Sequence, residues 1–178
     1  MRRQVRNTLI ILGVGAALVA SIGAAGVWGG YRLNMTRSYP LGLWRIEAQA
    51  REYRAGDVVF ICPPGGEAFD LALERGYLPR GLCPGGNGPL IKEIVAVAGQ
   101  VVTIGERVII DGAMLPDSTV RRIDSEGRAL PQATGGLVLA GHVFLHSAFL
   151  GSLDSRYFGP VPASGILGLA RPVITHAP

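Results

Sequence analysis

Lysine is nearly missing from this chain. Of its 17 basic residues, 16 are arginine, and Lys92 stands alone. Histidine occurs 3 times and cysteine twice. Two cysteines, with the histidines far away in sequence, do not make up the four-ligand sets of structural zinc sites, so no metal is expected. Charged residues are 17% against 48% apolar, which excludes a disordered chain. The formal charge is +4, but the arginines are dispersed and no dense basic run is interleaved with aromatics, so nucleic acid is not an expected partner. A modest positive balance suits work beside an anionic membrane surface. No internal repeat or low-complexity segment is present, and there is one long apolar run. The 178 residues suggest one domain and an appendage, and 26 Gly with 12 Pro point to the many turns of a mostly β domain.

The apolar run is the appendage. Arg2, Arg3 and Arg6 precede it, and no charge interrupts Thr8 to Trp28. A helix of that length spans about 31 Å, enough for a hydrocarbon core. Trp28 and Tyr31 stand where interfacial aromatics stand, followed by Arg32. The run is longer than a signal-peptide core, although Gly23-Ala24-Ala25 would suit a cleavage site. Residues 1–30 are therefore expected to be a cytoplasmic N-terminus and a transmembrane anchor, with 31–178 outside.

Directly after the anchor comes Asn34-Met-Thr-Arg-Ser-Tyr-Pro-Leu-Gly-Leu-Trp44. Pro40 fixes its own φ and holds Tyr39 extended. Gly42 permits a turn or the close approach of another backbone. Ser38 is thus presented on a stiff bend, as a hydroxyl nucleophile must be. Serines in turns are also common without any catalytic role. Only a few residues separate Ser38 from the anchor, and seven extended residues reach about 25 Å, so Ser38 is expected near the membrane face.

Leu43–Ala48 and Asp57–Cys62 read as strands, and Glu67–Arg75 as a short helix. Cys62 and Cys83 bracket the helix within a small insertion, 63–82. In an exported domain, two such cysteines are most simply a disulfide. Leu90-Ile-Lys-Glu-Ile-Val-Ala-Val-Ala98 is strongly β-like, and alternation puts Leu90, Lys92, Ile94 and Ala96 on one face. An apolar setting would lower the amine pKa. A neutral amine is something arginine cannot supply, which gives the solitary lysine a possible reason. The bland readings are an edge-strand lysine or an arginine-rich composition with one lysine left over. Further on come an Asp111-Gly112 hairpin turn, a polar exposed loop over 117–136, a strand at His142–His146 and a last strand at Gly165–Ile174, where Pro172 suggests an edge.

The third dense motif is Gly151-Ser-Leu-Asp-Ser-Arg-Tyr-Phe-Gly159, in which Asp154 and Arg156 suggest a structural ion pair. Ser38 in a Ser-x-Pro-x-Gly bend, Lys92 in an apolar strand and Ser152-x-Asp154-Ser155-Arg156 now stand in order behind an anchor. In this the chain resembles the bacterial signal peptidase family, membrane-anchored serine proteases with a Ser–Lys dyad. It is most similar to the TraF-type conjugative transfer peptidases, through Ser38-Tyr-Pro-Leu-Gly-Leu-Trp44, the Cys62-Pro-Pro to Cys83-Pro-Gly-Gly insertion and Asp154-Ser-Arg-Tyr-Phe-Gly-Pro-Val-Pro162.

The resemblance implies a coiled β-sheet catalytic domain in the periplasm, held by one pass through the inner membrane. It implies Ser38 as nucleophile, Lys92 as general base and Asp154 in a supporting role. The oxyanion site would be the Ser38 backbone N–H with help from Thr36, and Ser152 would orient the lysine. The implied partners are a pilin precursor or other exported protein and components of a conjugation or type IV secretion apparatus. The implied reaction passes through an acyl-enzyme, with cleavage or pilin cyclisation as its outcome, and no cofactor. Two departures from the broader family stand out. His146-Ser147-Ala148 occupies the place of a Gly-Asp-Asn box, and Lys92-Glu93 replaces a Lys-Arg pair. Both favour the conjugation branch over a general type I signal peptidase. A Ser–His–Asp triad through His142 or His146 would leave Lys92 unexplained. A non-catalytic β-domain of an envelope complex is the rival from another class, and it predicts that Ser38 and Lys92 are dispensable.

Overall fold

β-Branched runs punctuated by Gly and Pro set the elements of residues 2–177, which this computed structural model describes. Helix α1 (Arg2–Val27) is long and apolar enough to cross a membrane, and none of its residues is buried. Its 26 residues include the arginines Arg2, Arg3 and Arg6 at the start. The strands that follow are β1 (Tyr31–Asn34), β2 (Leu41–Glu47) and β3 (Val58–Ile61), then helix α2 (Glu67–Glu74). Next come β4 (Leu90–Val97), β5 (Val101–Ile104), β6 (Val108–Ile110), β7 (Ala113–Met114), β8 (Gly136–Leu137) and β9 (His142–His146). Helix α3 (Ser155–Phe158), β10 (Val161–Pro162) and β11 (Ile166–His176) complete the order.

The domain is mostly β, and every strand pairing among the described residues is antiparallel. One sheet of seven strands runs β1-β2-β11-β3-β4-β9-β10, and a smaller sheet of four runs β7-β6-β5-β8. Of three apolar cores, one gathers Trp44, Phe60, Ile91 and Ala170, and the other two meet at β4 and β9. Val59, Ile61, Ile94, Leu145 and Leu169 close on Phe69 and Ala72 of α2. Val102, Val108 and Val138 close on Ala96 and Phe144. The strands β4 and β9 serve both cores, because the β4–β9 register shifts between Ile94 and Ala96. One extra residue reverses the alternation of faces. That corrects the simple alternation expected from the sequence: Ala96 leaves the group of Leu90, Lys92 and Ile94 and joins the other core.

Three further features bear on the site. A disulfide joins Cys62 to Cys83 and closes the insertion that carries α2. Strand β11 is not an edge strand along its length. Its Ile166–Leu169 stretch pairs with β3 and its Leu169–His176 stretch with β2, so the two neighbours share only Leu169, and the β2 register shifts between Pro172 and Ile174. Pro172 falls in the singly paired half, where a residue without an N–H is tolerated. The 117–136 segment is not simply exposed. Ser118 and Asp124 are buried in it, and Asp124 accepts hydrogen bonds from the Tyr77 hydroxyl, from Arg128 Nε at 2.6 Å and from two backbone amides. Its anchors are polar and long-range, so a search for apolar anchors passes over them.

Candidate active site

The bend carrying Ser38 is built locally. Asn34, the last residue of β1, is buried, and its Nδ2 donates to the carbonyls of Thr36, Tyr39 and Pro40, each at 3.0 Å. Its Oδ1 accepts from the Thr36 amide at 3.1 Å and the Thr36 hydroxyl at 2.7 Å. Trp44 Nε1 donates to the Pro40 carbonyl at 2.9 Å, and the Tyr39 ring meets the Trp44 ring edge-on at 6.1 Å. Gly42 has φ +125°, and a Cβ there would lie 2.2 Å from the Ile174 carbonyl oxygen, so β11 can approach only a glycine.

Opposite the bend, the Ser152 hydroxyl oxygen is 3.3 Å from the Ser38 hydroxyl, which donates to it. Lys92 projects from β4 opposite Val59 of β3 and is 2% exposed. Burial pushes its pKa down to about 8. The nearby Asp154 carboxylate opposes that shift, and the Arg156 cation adds to it. Ser38, Lys92 and Ser152 line one cleft of about 1000 Å³, together with residues of the disulfide-closed insertion and of the 121–130 segment. A buried amine with a lowered pKa can take a proton at neutral pH, and it shares this cleft with the Ser38 and Ser152 hydroxyls.

Asp154 and Arg156 form the floor behind Ser152. Both are fully buried and make a bidentate pair, with Nε to Oδ1 and Nη2 to Oδ2, each 2.7 Å. The Asp154 side chain also accepts from the backbone amides of Arg156 and Ser147, at 3.2 Å each, and caps α3. Arg156 reaches on to the carbonyls of Thr119, Ser147, Phe149 and Ser152. One guanidinium thus ties together the loop before Ser152 and the segment at Thr119. The Asp154 carboxylate is fully engaged and makes no bond to Ser38 among the described residues.

Two residues escaped the sequence reading. Asn34 is one, and an Asx residue two before a turn is a local signal that could have found it. The other is Ser147, whose hydroxyl donates to the Ser38 carbonyl at 2.6 Å while its amide is held by Asp154. Its partner is 109 positions away, so nothing near it in sequence gives the contact. Thr36 is exposed, with its hydroxyl proton directed to Asn34. Neither His142 nor His146 hydrogen-bonds Ser38 among the described residues. His146 Nε2 is 3.3 Å from the Asp117 carbonyl, and burial lowers its pKa. His142 Nδ1 is 3.2 Å from the Ala140 carbonyl.

A serine on a fixed bend, a buried lysine and a β-rich frame behind an apolar helix define a class of peptidase, and the chain belongs to the signal peptidase family, peptidase S26, which it matches over residues 5–175. The TraF-type likeness read from the motifs extends over nearly the whole length. The chain is 51% identical over 173 residues to the conjugal transfer protein TraF of Agrobacterium fabrum, covering 97% of this chain and 98% of that one. It is 51% identical to the probable conjugal transfer protein TraF of Sinorhizobium fredii, covering 99% and 95%. It is 35% identical to a plasmid transfer protein TraF of Escherichia coli, covering 97% of each. Among solved structures, a signal peptidase I from Enterococcus faecalis matches with a TM-score of 0.41 and 17% identity, over 68% of this chain and 98% of that one.

Proposed function

We propose that this protein is a membrane-anchored serine endopeptidase of a conjugative transfer system, acting through Ser38 and Lys92 on a pilin precursor. The observation that carries the reading is the burial of the only lysine on the cleft that Ser38 and Ser152 also line. Neutral Lys92 takes the Ser38 hydroxyl proton as the oxygen attacks the scissile carbonyl. The Ser38 backbone N–H stabilises the oxyanion, with Thr36 beside it once its hydroxyl turns from Asn34. The Lys92 ammonium then returns the proton to the leaving amine, which leaves a Ser38 ester. Water releases an acid and completes a cleavage, or the substrate's own N-terminal amine captures the acyl group and closes a ring. Asp154 supports the site through Arg156 and Ser147, and Ser152 orients the lysine. With Arg2, Arg3 and Arg6 held on the cytoplasmic side, the β domain works in the periplasm on the face of the inner membrane. The conjugal relatives support the pathway assignment.

Mass spectrometry of a candidate pilin precursor tests this. Made with the wild-type protein it is processed, and a product one water lighter than the linear cleaved form identifies cyclisation. With Ser38→Ala or Lys92→Arg it stays whole, although both variants fold. Processing by Lys92→Arg would remove the lysine from its role as base. Processing by Ser38→Ala would leave a non-catalytic envelope domain as the reading. Cleavage of many ordinary preproteins after small residues would make this a general type I signal peptidase.

A further inference from the structure

The cleft is lined by charge of nearly one sign. Arg32, Arg37, Arg80, Lys92 and Arg121 face it, against a single acid, Asp124. Asp124 is already engaged by Arg128, Tyr77 and backbone amides, so it does not balance the others. Arg32 turns back to the carbonyls of Gly26 and Tyr31, beside the end of α1. Among the described residues, Arg37, Arg80 and Arg121 pair with no carboxylate, although Arg51, Arg128, Arg156 and Arg171 all do; Arg37 adjoins Ser38 on the bend, which leaves Arg80 and Arg121 away from it in sequence.

These two arginines rise from fixed backbone. Arg80 pairs with Asn87 across the disulfide-closed loop, where the Gly81 amide donates to Gly86 and the Cys83 amide to Asn87, each at 2.9 Å. The Arg121 amide donates to the Tyr157 hydroxyl at 3.2 Å, and its carbonyl accepts from Gln132 Nε2 at 3.2 Å. The backbone is therefore anchored on both sides while each guanidinium remains available to a ligand. A guanidinium fork matches the planar geometry of a carboxylate, and a partly enclosed cleft weakens screening by salt.

We infer that Arg80 and Arg121 form a carboxylate-recognition subsite for the substrate polypeptide, resting on the reading of this cleft as the groove of a peptidase. The substrate presents either an aspartate or glutamate side chain or a chain-terminal carboxylate within reach of the scissile bond. Lipid phosphate is the weaker match, because Arg80 and Arg121 come from the insertion and the 121–130 segment, whereas Arg32 adjoins the anchor.

The test uses the full chain in detergent micelles and synthetic peptides with alanine before the scissile position. One series carries Glu or Gln at each position in turn, and a second ends in a free acid or an amide. Binding to the Ser38→Ala protein is read by fluorescence anisotropy, so the reading of the subsite does not depend on turnover. An acidic peptide of one series is expected to bind about 10- to 100-fold more tightly than its neutral counterpart. Arg80→Gln/Arg121→Gln should erase that ratio and leave the neutral peptide's affinity unchanged. Arg121→Glu should prefer a lysine-bearing peptide. The series that responds names the source of the carboxylate. The inference is overturned by an unchanged ratio in the double variant, by peptides that do not bind, or by a double variant that loses only its retention on phosphatidylglycerol vesicles. Cleavage of the same peptides by Ser38→Ala would instead sink Ser38 as the nucleophile of the proposed function, whatever the binding ratios are.

Discussion

At Lys92, the burial that would suit a general base costs the fold stability. Its pKa of about 8 means that the neutral amine grows in as pH rises. With Lys92 as base, kcat/KM should rise about tenfold per unit below pH 8 and level off above it, as a pH profile on the pilin precursor would read. The same shift affects folding. In the unfolded chain the amine keeps its proton up to about pH 10.4. Between the two values the unfolded state binds more protons, so stability rises with pH across that window and is lost as pH falls through 8. Lys92→Met is expected to abolish processing while gaining on the order of 3 kcal/mol at pH 7, a gain that fades toward pH 10.5. Denaturant titrations in micelles at the two pH values check this. Ser147 touches Ser38 rather than Lys92. Ser147→Ala should lower kcat about tenfold or more with little change in KM, at a cost of about 1 kcal/mol in stability. Steady-state kinetics and the same titrations separate those effects. Lys92 could be singled out in the sequence because its chemistry is unlike that of the surrounding arginines and its strand is apolar. Ser147 could not, because its role lies in a single contact across the fold.

Elements built from local pattern were legible. The strands follow β-branched runs, α2 follows its helical spacing, and the Asp111-Gly112 turn has the positive φ at both residues that such pairs adopt. Elements whose place depends on distant partners were not. Pro172 marked the singly paired end of β11 in sequence, but the handover from β3 to β2 at Leu169 was not visible there. The 117–136 segment looked free because Asp124 and Ser118 are held by hydrogen bonds and not by an apolar stripe. The insertion illustrates both. Its cysteines could be paired by reasoning about compartment, but its contribution to the cleft wall through Tyr77, Arg80 and Leu82 needed coordinates. Removing the disulfide with Cys62→Ser/Cys83→Ser should cost about 3 kcal/mol for a loop of this length. Thermal unfolding with and without reductant checks it, and the variant should be insensitive to reductant where the wild type is not.

The whole molecule is a β domain hung from a helix that contributes nothing to its core. Deleting residues 2–27 should therefore leave the unfolding midpoint of the domain within about a degree. Kinetics should show cleavage of soluble peptides retained, while processing of a membrane-borne precursor falls, because the anchor no longer concentrates enzyme and substrate on one surface. Released from the helix, the domain would still carry Leu33, Met35 and Leu82 as exposed apolar side chains, and is expected to need detergent or lipid to stay dispersed.

The contact of Gly42 with Ile174 has a consequence in time. The strand that follows Ser38 is completed on one side by β11, and Glu47 and its partner Arg171 are 124 positions apart. During synthesis Ser38 is among the first residues of the domain to emerge, yet the strand behind it stays open until β11 arrives. A nascent chain therefore carries Ser38 for most of its translation without a finished site around it. On the proposed reading, the peptidase would in this way be kept from acting before it is whole.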